Sequence, residues 1–239
     1  MPKVSIIVPA YNEARYIESL LIKILAIPTE EIGYTKEVIV VDDGSQDGTF
    51  EAACRVAGVK VHRKLPNEGK GRAVQYGIAQ ATGDYILVQD ADLEYDPADY
   101  IPMLITIAGQ TKTAVYGSRI LGGMKTRFSL LPGKHPRQGF GPYLAGVVLS
   151  IWTFLLYGRW ISDTLTAYKI YPRSLFTDVK IETHGFETDH EITARLIRHG
   201  FDIIEVPIRY EPRSREEGKK IKARDGIIAI WTLLRFRFA

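Results

Sequence analysis

The segment VSIIVPAYNEARYIESLLIKIL, residues 4–25, changes its periodicity halfway along. Val4 to Val8 is a short β-branched run, the composition of a strand covered on both faces. Beyond the polar break ProAlaTyrAsnGlu (residues 9–13), Tyr16, Ile17, Leu20, Leu21, Ile24 and Leu25 recur at helical spacing and predict a helix over Ala14 to Ile27. The same order then repeats. Strands are expected at Glu37 to Val41, Val59 to His62, Tyr85 to Val88 and Ala114 to Tyr116, with helices at Asp47 to Ala57, Gly71 to Ala81 and Pro97 to Ala108 between them. Strands alternating with helices of about 10 to 15 residues make βαβ units and a mainly parallel sheet, so the fold class is α/β.

From Ser118 the chain turns rich in Gly and Pro, the composition of a long functional loop. A stretch without charge follows between Arg137 and Arg159. It just reaches the ~20 residues a spanning helix needs, so a span is possible, but Gly139, Gly141, Pro142 and Gly146 break up its first half and its densely apolar part is only Leu144 to Tyr157, which favours a buried or interfacial helix. Thr166 to Tyr171 and Asp202 to Val206 read as further strands, with a helix over Glu187 to His199 between them and an apolar tail helix over Gly226 to Phe238.

With 239 residues and 46% hydrophobic content the chain can build a real core, which excludes disorder as its main state. The formal charge of +3 hides a basic end: eight Lys or Arg against three acids from Arg213 to Arg237, a composition suited to an anionic surface. Cys54 stands alone, so an internal disulfide is excluded and a reducing compartment is expected. The N-terminal run meets Glu13 too soon for a secretory signal, and a cytoplasmic location is expected.

In an open parallel sheet ligands bind beyond the carboxyl ends of the strands. Three such ends carry polar loops: residues 9–13, AspAspGlySerGlnAspGly (42–48) and GlnAspAlaAspLeuGlu (89–94). In an extended segment Asp90 and Asp92 would share a face about 6 to 7 Å apart, with Glu94 next on that face. Like charges so placed call for a cation, and hard oxygen ligands suit Mg²⁺ or Mn²⁺; an acidic surface turn is the plainer alternative. Asp96 is expected to cap the helix that Pro97 starts. Asp42 and Asp43 suit either a turn or the hydroxyl of a ribose. The glycines after Asn67 do not form a GxGxxG motif and a P-loop is missing, so the two commonest nucleotide motifs are excluded.

VSIIVPAYNE (4–13), VVDDGSQDGT (40–49), NEGKGRAV (67–74), DADLE (90–94), YGSR (116–119) and RSREEGKKI (213–221) together resemble a family 2 glycosyltransferase of GT-A fold, most closely the branch that makes polyprenyl-phosphate sugars such as dolichyl-phosphate mannose and glucose. The likeness runs over nearly the whole chain, tightest from 3 to 120 and from 163 to 222. It implies one continuous domain, with a nucleotide-sugar-binding half over 1–120 and an acceptor-binding half over 121–239 that holds the apolar helix 139–158 and the basic C-terminal loop and helix. By the same resemblance Pro9, Ala10, Tyr11, Glu13, Asp43 and Lys70 contact a UDP- or GDP-hexose. Asp90 and Asp92 would form a DXD motif on a divalent cation. Glu94, where relatives often carry Gln, would join them and tighten that grip. Arg119 would meet the acceptor phosphate, with Arg137 as a second cation there. Arg213, Lys219 and Lys220 would close over the phosphates.

The implied reaction is inverting transfer of a hexose to a polyprenyl phosphate, and nucleic acid is not an expected partner. A lipid phosphate is already an anion and needs no general base. In relatives that glycosylate a glycan hydroxyl an acid near Asp189 or Glu191 serves as base, which keeps that reading open, as it keeps open binding of a sugar nucleotide without turnover. Asp163 matches a family position that suits loop capping as well as catalysis. His190 and His199 read as structural or exposed. The apolar helix and the tail helix, with Trp231, Phe236, Arg235 and Arg237, suit peripheral attachment to the cytoplasmic face of a membrane.

Overall fold

A computed structural model of the protein describes residues 1–125, 133–135, 139–212 and 223–239. Arg137, Arg213, Lys219 and Lys220 lie outside the described residues. The strands are β1 (Lys3–Ala10), β2 (Thr35–Asp42), β3 (Val59–Arg63), β4 (Tyr85–Val88), β5 (Thr113–Ser118), β6 (Lys169–Pro172) and β7 (Asp202–Pro207). The helices are α1 (Ile17–Ala26), α2 (Thr49–Cys54), α3 (Lys70–Gln80), α4 (Tyr100–Ile107), α5 (Arg119–Lys125), α6 (Phe140–Tyr157), α7 (Leu175–Asp178), α8 (Thr188–Arg198) and α9 (Ala223–Phe238).

The sheet runs β3-β2-β1-β4-β6-β5-β7. Four neighbouring pairs are parallel, and β6 is antiparallel to both β4 and β5. That reversal places the segment before β6 at the same sheet edge as the segments after β4, β5 and β7. The sequence pattern cannot show it, because a strand buried on both faces reads alike in either direction.

β1 explains why its run is so apolar. Val4, Ile6 and Val8 pack with Leu20, Leu21 and Ile24 of α1 and Leu104 of α4, while Ile7 packs with Ala73 and Ile86 on the other face. On that second face α3 lies so close that a Cβ on Gly77 would stand 2.4 Å from Ile7 Cγ2. Full burial of a side chain such as Ile6 or Leu20 contributes about 1.5–3 kcal/mol.

Two expectations need correction. Arg119–Lys125 is a helix and not the start of a loop. Gly122 serves close approach there, since a Cβ would meet the Ile208 carbonyl at 2.0 Å, so its glycine composition does not signal a turn. The apolar helix α6 is not buried: Leu149, Ser150 and Thr153 are, while Leu144, Val148, Ile151, Phe154 and Leu155 are exposed. It is long and apolar enough to cross a membrane. Its inner side is tied to α9 by the Trp152 indole, which donates to the Ile230 carbonyl at 3.2 Å, and by the Tyr157 hydroxyl, which donates to the Leu233 carbonyl at 2.6 Å. Trp231, Ile227 and Phe238 stand exposed on α9.

Candidate active site

The loops after β1 and β2 are knitted together. Asn12 sits at φ 52°, in the left-handed region that asparagine tolerates. Its amide donates to Ser45 Oγ and its side-chain oxygen accepts from the Gln46 amide, while the Glu13 amide donates to Thr49 Oγ1. Pro9, Ala10, Glu13 and Asp43 are buried and Tyr11 is exposed at the rim. The Asp43 carboxylate accepts from the Gly69 amide at 2.7 Å and the Glu68 amide at 3.2 Å, so it holds the turn that delivers Lys70. Sequence reading had missed that task.

Lys70 opens α3 and reaches across the edge. Its ammonium lies 2.7 Å from Asp90 Oδ1 and 3.7 Å from Asp189 Oδ2. Burial pulls its pKa down, and the charges of Asp90, Asp189 and Asp92 more than reverse this, so the ammonium stays charged. A Cβ on Gly71 would meet Thr188 Oγ1 at 2.0 Å, which shows how tightly this turn sits against the start of α8.

Asp90 and Asp92 are not brought together by strand alternation as expected. The chain leaves β4 in a tight turn, with Leu93 at φ 60° and Asp92 Oδ1 accepting from the Glu94 amide at 3.2 Å. A leucine at positive φ is uncommon and is held here by its surroundings. Glu94 Oε2 accepts from the Tyr210 hydroxyl at 2.8 Å. Among the described residues no three His, Cys, Asp or Glu side chains form a group that could hold a metal. The cap at Asp96 is present, its side chain accepting from the Ala98 amide at 2.9 Å.

Behind the turn stands Gln89, fully buried. Its amide nitrogen donates to the Asp90 carbonyl at 2.8 Å, and its oxygen accepts from the hydroxyls of Tyr100 and Tyr168. Gln89→Leu would remove the acceptor that the Tyr100 and Tyr168 hydroxyls share, at about 1–3 kcal/mol for the buried donor left without one. The thermal unfolding midpoint is expected to fall accordingly, and Tyr100→Phe in the same chain is expected to recover part of the loss.

Arg119 follows β5 directly. Its guanidinium grips Asp163 by two bonds of 2.7 Å, its own amide adds a third of 2.9 Å, and its plane lies 4.9 Å from the ring centroid of Tyr210. Burial pulls the arginine pKa down, and Asp163 outweighs this. The Ser162 and Asp163 amides in turn donate to Glu205, whose carboxyl burial pushes up. Asp163 is therefore the partner of Arg119, a role set by the reversal of β6.

Two acids that the sequence left ambiguous separate here. Glu191 is fully buried, accepts from the Glu182 and Thr183 amides and pairs with Arg195 at 2.8 Å, a structural arrangement. Asp189 faces Lys70 at the sheet edge. His190 is buried, and burial holds its pKa down at about 3. Lys169 is buried under the Tyr116 ring and burial pulls its pKa down, against the Asp189 charge. A cavity of about 760 Å³ at the opposite sheet edge, lined by Asp84, Arg173 and Lys180 among others, contains none of these groups.

The family model for glycosyl transferase family 2 matches residues 5–174, and the chain belongs to that family. Its curated relatives include the dolichol-phosphate mannosyltransferase of Pyrococcus furiosus, 31% identical over 221 residues, and the dolichyl-phosphate hexose transferase of Haloferax volcanii, 30% identical over 213. These alignments cover 91% and 89% of this chain; the chain spans 59% of the first relative and 84% of the second. Among solved structures, glucosyl-3-phosphoglycerate synthase from Mycobacterium tuberculosis, in complex with Mn²⁺, UDP and phosphoglyceric acid, superposes with a TM-score of 0.70 at 23% identity. That match covers 99% of this chain and 78% of the other, and the fold is accordingly of the GT-A class.

Proposed function

We propose that the protein transfers a hexose from a UDP- or GDP-sugar to a polyprenyl phosphate at the membrane surface, with inversion and with Mg²⁺ or Mn²⁺. The observation that carries this reading is Arg119, a guanidinium built into the site edge by Asp163 beside the acidic turn. The dolichyl-phosphate acceptors in the names of its relatives support it.

The donor set fits the metal. Mg²⁺ takes one or two carboxylates and completes its shell with substrate phosphates and water, so Asp90 and Asp92 suffice without a third acid. When bound, such a cation offsets the charge that grows on the departing diphosphate. Lys70 adds a fixed positive charge beside the same aspartate, while the loops at 9–13 and 42–48 would receive the nucleoside. Arg119 would draw in the acceptor phosphate and lower its repulsion from the donor. The phosphate attacks as an anion, and in-line displacement inverts the anomeric centre. The exposed apolar residues of α6 and α9, with Arg235 and Arg237, suit an interfacial position that brings the lipid to this edge on the cytoplasmic face.

This chemistry leaves no proton for Asp189 to remove. Asp189→Asn is expected to keep transfer within about tenfold of the parent, since it loses the long pair with Lys70 and part of the charge that offsets the burial of Lys169, whereas a general base contributes about 10²- to 10⁴-fold. Initial rates with a lipid phosphate acceptor measure this directly. A thousandfold loss would instead favour a hydroxyl acceptor with Asp189 as base.

A further inference from the structure

We propose that Tyr210 is a positioning residue that ties the acidic turn after β4 to the acceptor arginine, so that cation side and phosphate side are set by one side chain. The proposal rests on the function proposed above. Tyr210 reaches both sides at once. Its hydroxyl donates to Glu94 Oε2 at 2.8 Å, and its ring lies 4.9 Å from the Arg119 guanidinium. The backbone holds it in place: Tyr210 bridges Tyr95, and the Glu211 amide donates to the Glu94 carbonyl at 2.9 Å. Its ring also packs on Tyr95 at 5.3 Å, and Tyr95 stacks on Tyr168 at 4.8 Å, which leads back to Gln89 behind Asp90.

These contacts separate by chemistry. The link to Glu94 is a hydrogen bond and needs the hydroxyl; the link to Arg119 is a cation over a π face and needs only the ring. Tyr210→Phe therefore cuts one and keeps the other, and Tyr210→Leu cuts both. Glu94→Gln retains a carbonyl oxygen for the hydroxyl to bond, while Glu94→Ala does not.

The test is a double-mutant cycle on binding of Mn²⁺ with UDP, and with GDP, followed by the electron paramagnetic resonance of the free ion. Tyr210→Phe and Glu94→Ala are each expected to weaken Mn²⁺–nucleotide binding about five- to tenfold, the double variant no more than the weaker single one, and Glu94→Gln less than Glu94→Ala. In the transfer assay Tyr210→Phe is expected to leave KM for the lipid phosphate within about twofold, and Tyr210→Leu to raise it about tenfold. Should Tyr210→Leu fail to fold, the cycle decides on its own. Effects of Tyr210→Phe and Glu94→Ala that multiply, or a Tyr210→Phe protein that binds Mn²⁺ like the parent, would overturn the proposal. The cycle needs no acceptor, so failure of the wild type to glycosylate a lipid phosphate would strike the functional reading alone.

Discussion

Arg119→Ala is expected to lower transfer to a lipid phosphate about 10²- to 10³-fold, the usual loss when one preorganised charge is removed from a reacting centre. It is also expected to destabilise the fold. The arginine and Asp163 are 17% and 4% exposed, so the variant leaves a carboxylate buried without its counter-charge. Breaking such a pair costs about 3–5 kcal/mol. Activity and stability can be read apart. Removing both partners, as Arg119→Ala with Asp163→Ala, is expected to return much of the unfolding midpoint and none of the transfer rate. Arg119→Lys keeps a charge but loses the two-pronged grip, and is expected to fall between. Thermal unfolding and initial rates at fixed donor check all three. A double variant that regains activity together with stability would reduce Arg119 to a structural residue.

Asp92→Asn is expected to cost transfer as much, about 10²- to 10³-fold, with almost no cost in stability. Asparagine retains the side-chain oxygen that accepts from the Glu94 amide, so the turn should persist. What it loses is the charge that binds a cation. Chelating the divalent ion from the parent protein is expected to give a similar loss, and to take little more from Asp92→Asn. Rates titrated with Mn²⁺ measure this; parental rates in the variant at every Mn²⁺ concentration would remove Asp92 from the metal site.

Much of the fold was legible because its signals are local. β1 and α1 follow from the spacing of Val4 to Leu25, and every expected strand has a counterpart, β6 beginning three residues late. The direction of β6 was not legible, since the run from Lys169 to Pro172 carries no mark of its polarity. The loops after β1, β2 and β4 drew attention to themselves through motifs next to strand ends. Tyr210, Gln89 and the partnership of Asp163 with Arg119 did not, because each acts through contacts between segments 44 to 116 residues apart or through burial behind the turn. A tyrosine three residues past a strand end looks like any other surface aromatic until the opposing loop is in place. Glu94 illustrates the converse: its motif position suggested a metal ligand and nothing more, and the fold adds a bond from the Tyr210 hydroxyl that the motif does not show.

The proposed acceptor is a lipid phosphate. The most direct measurement of this incubates the protein with labelled UDP- or GDP-hexose, Mn²⁺ and vesicles carrying either polyprenyl phosphate or the corresponding polyprenol, and counts acid-labile label in the organic extract. Label is expected with the phosphate, lost on chelation, and missing with the alcohol. Equal labelling of the alcohol, or none of the phosphate with either donor, would contradict the account.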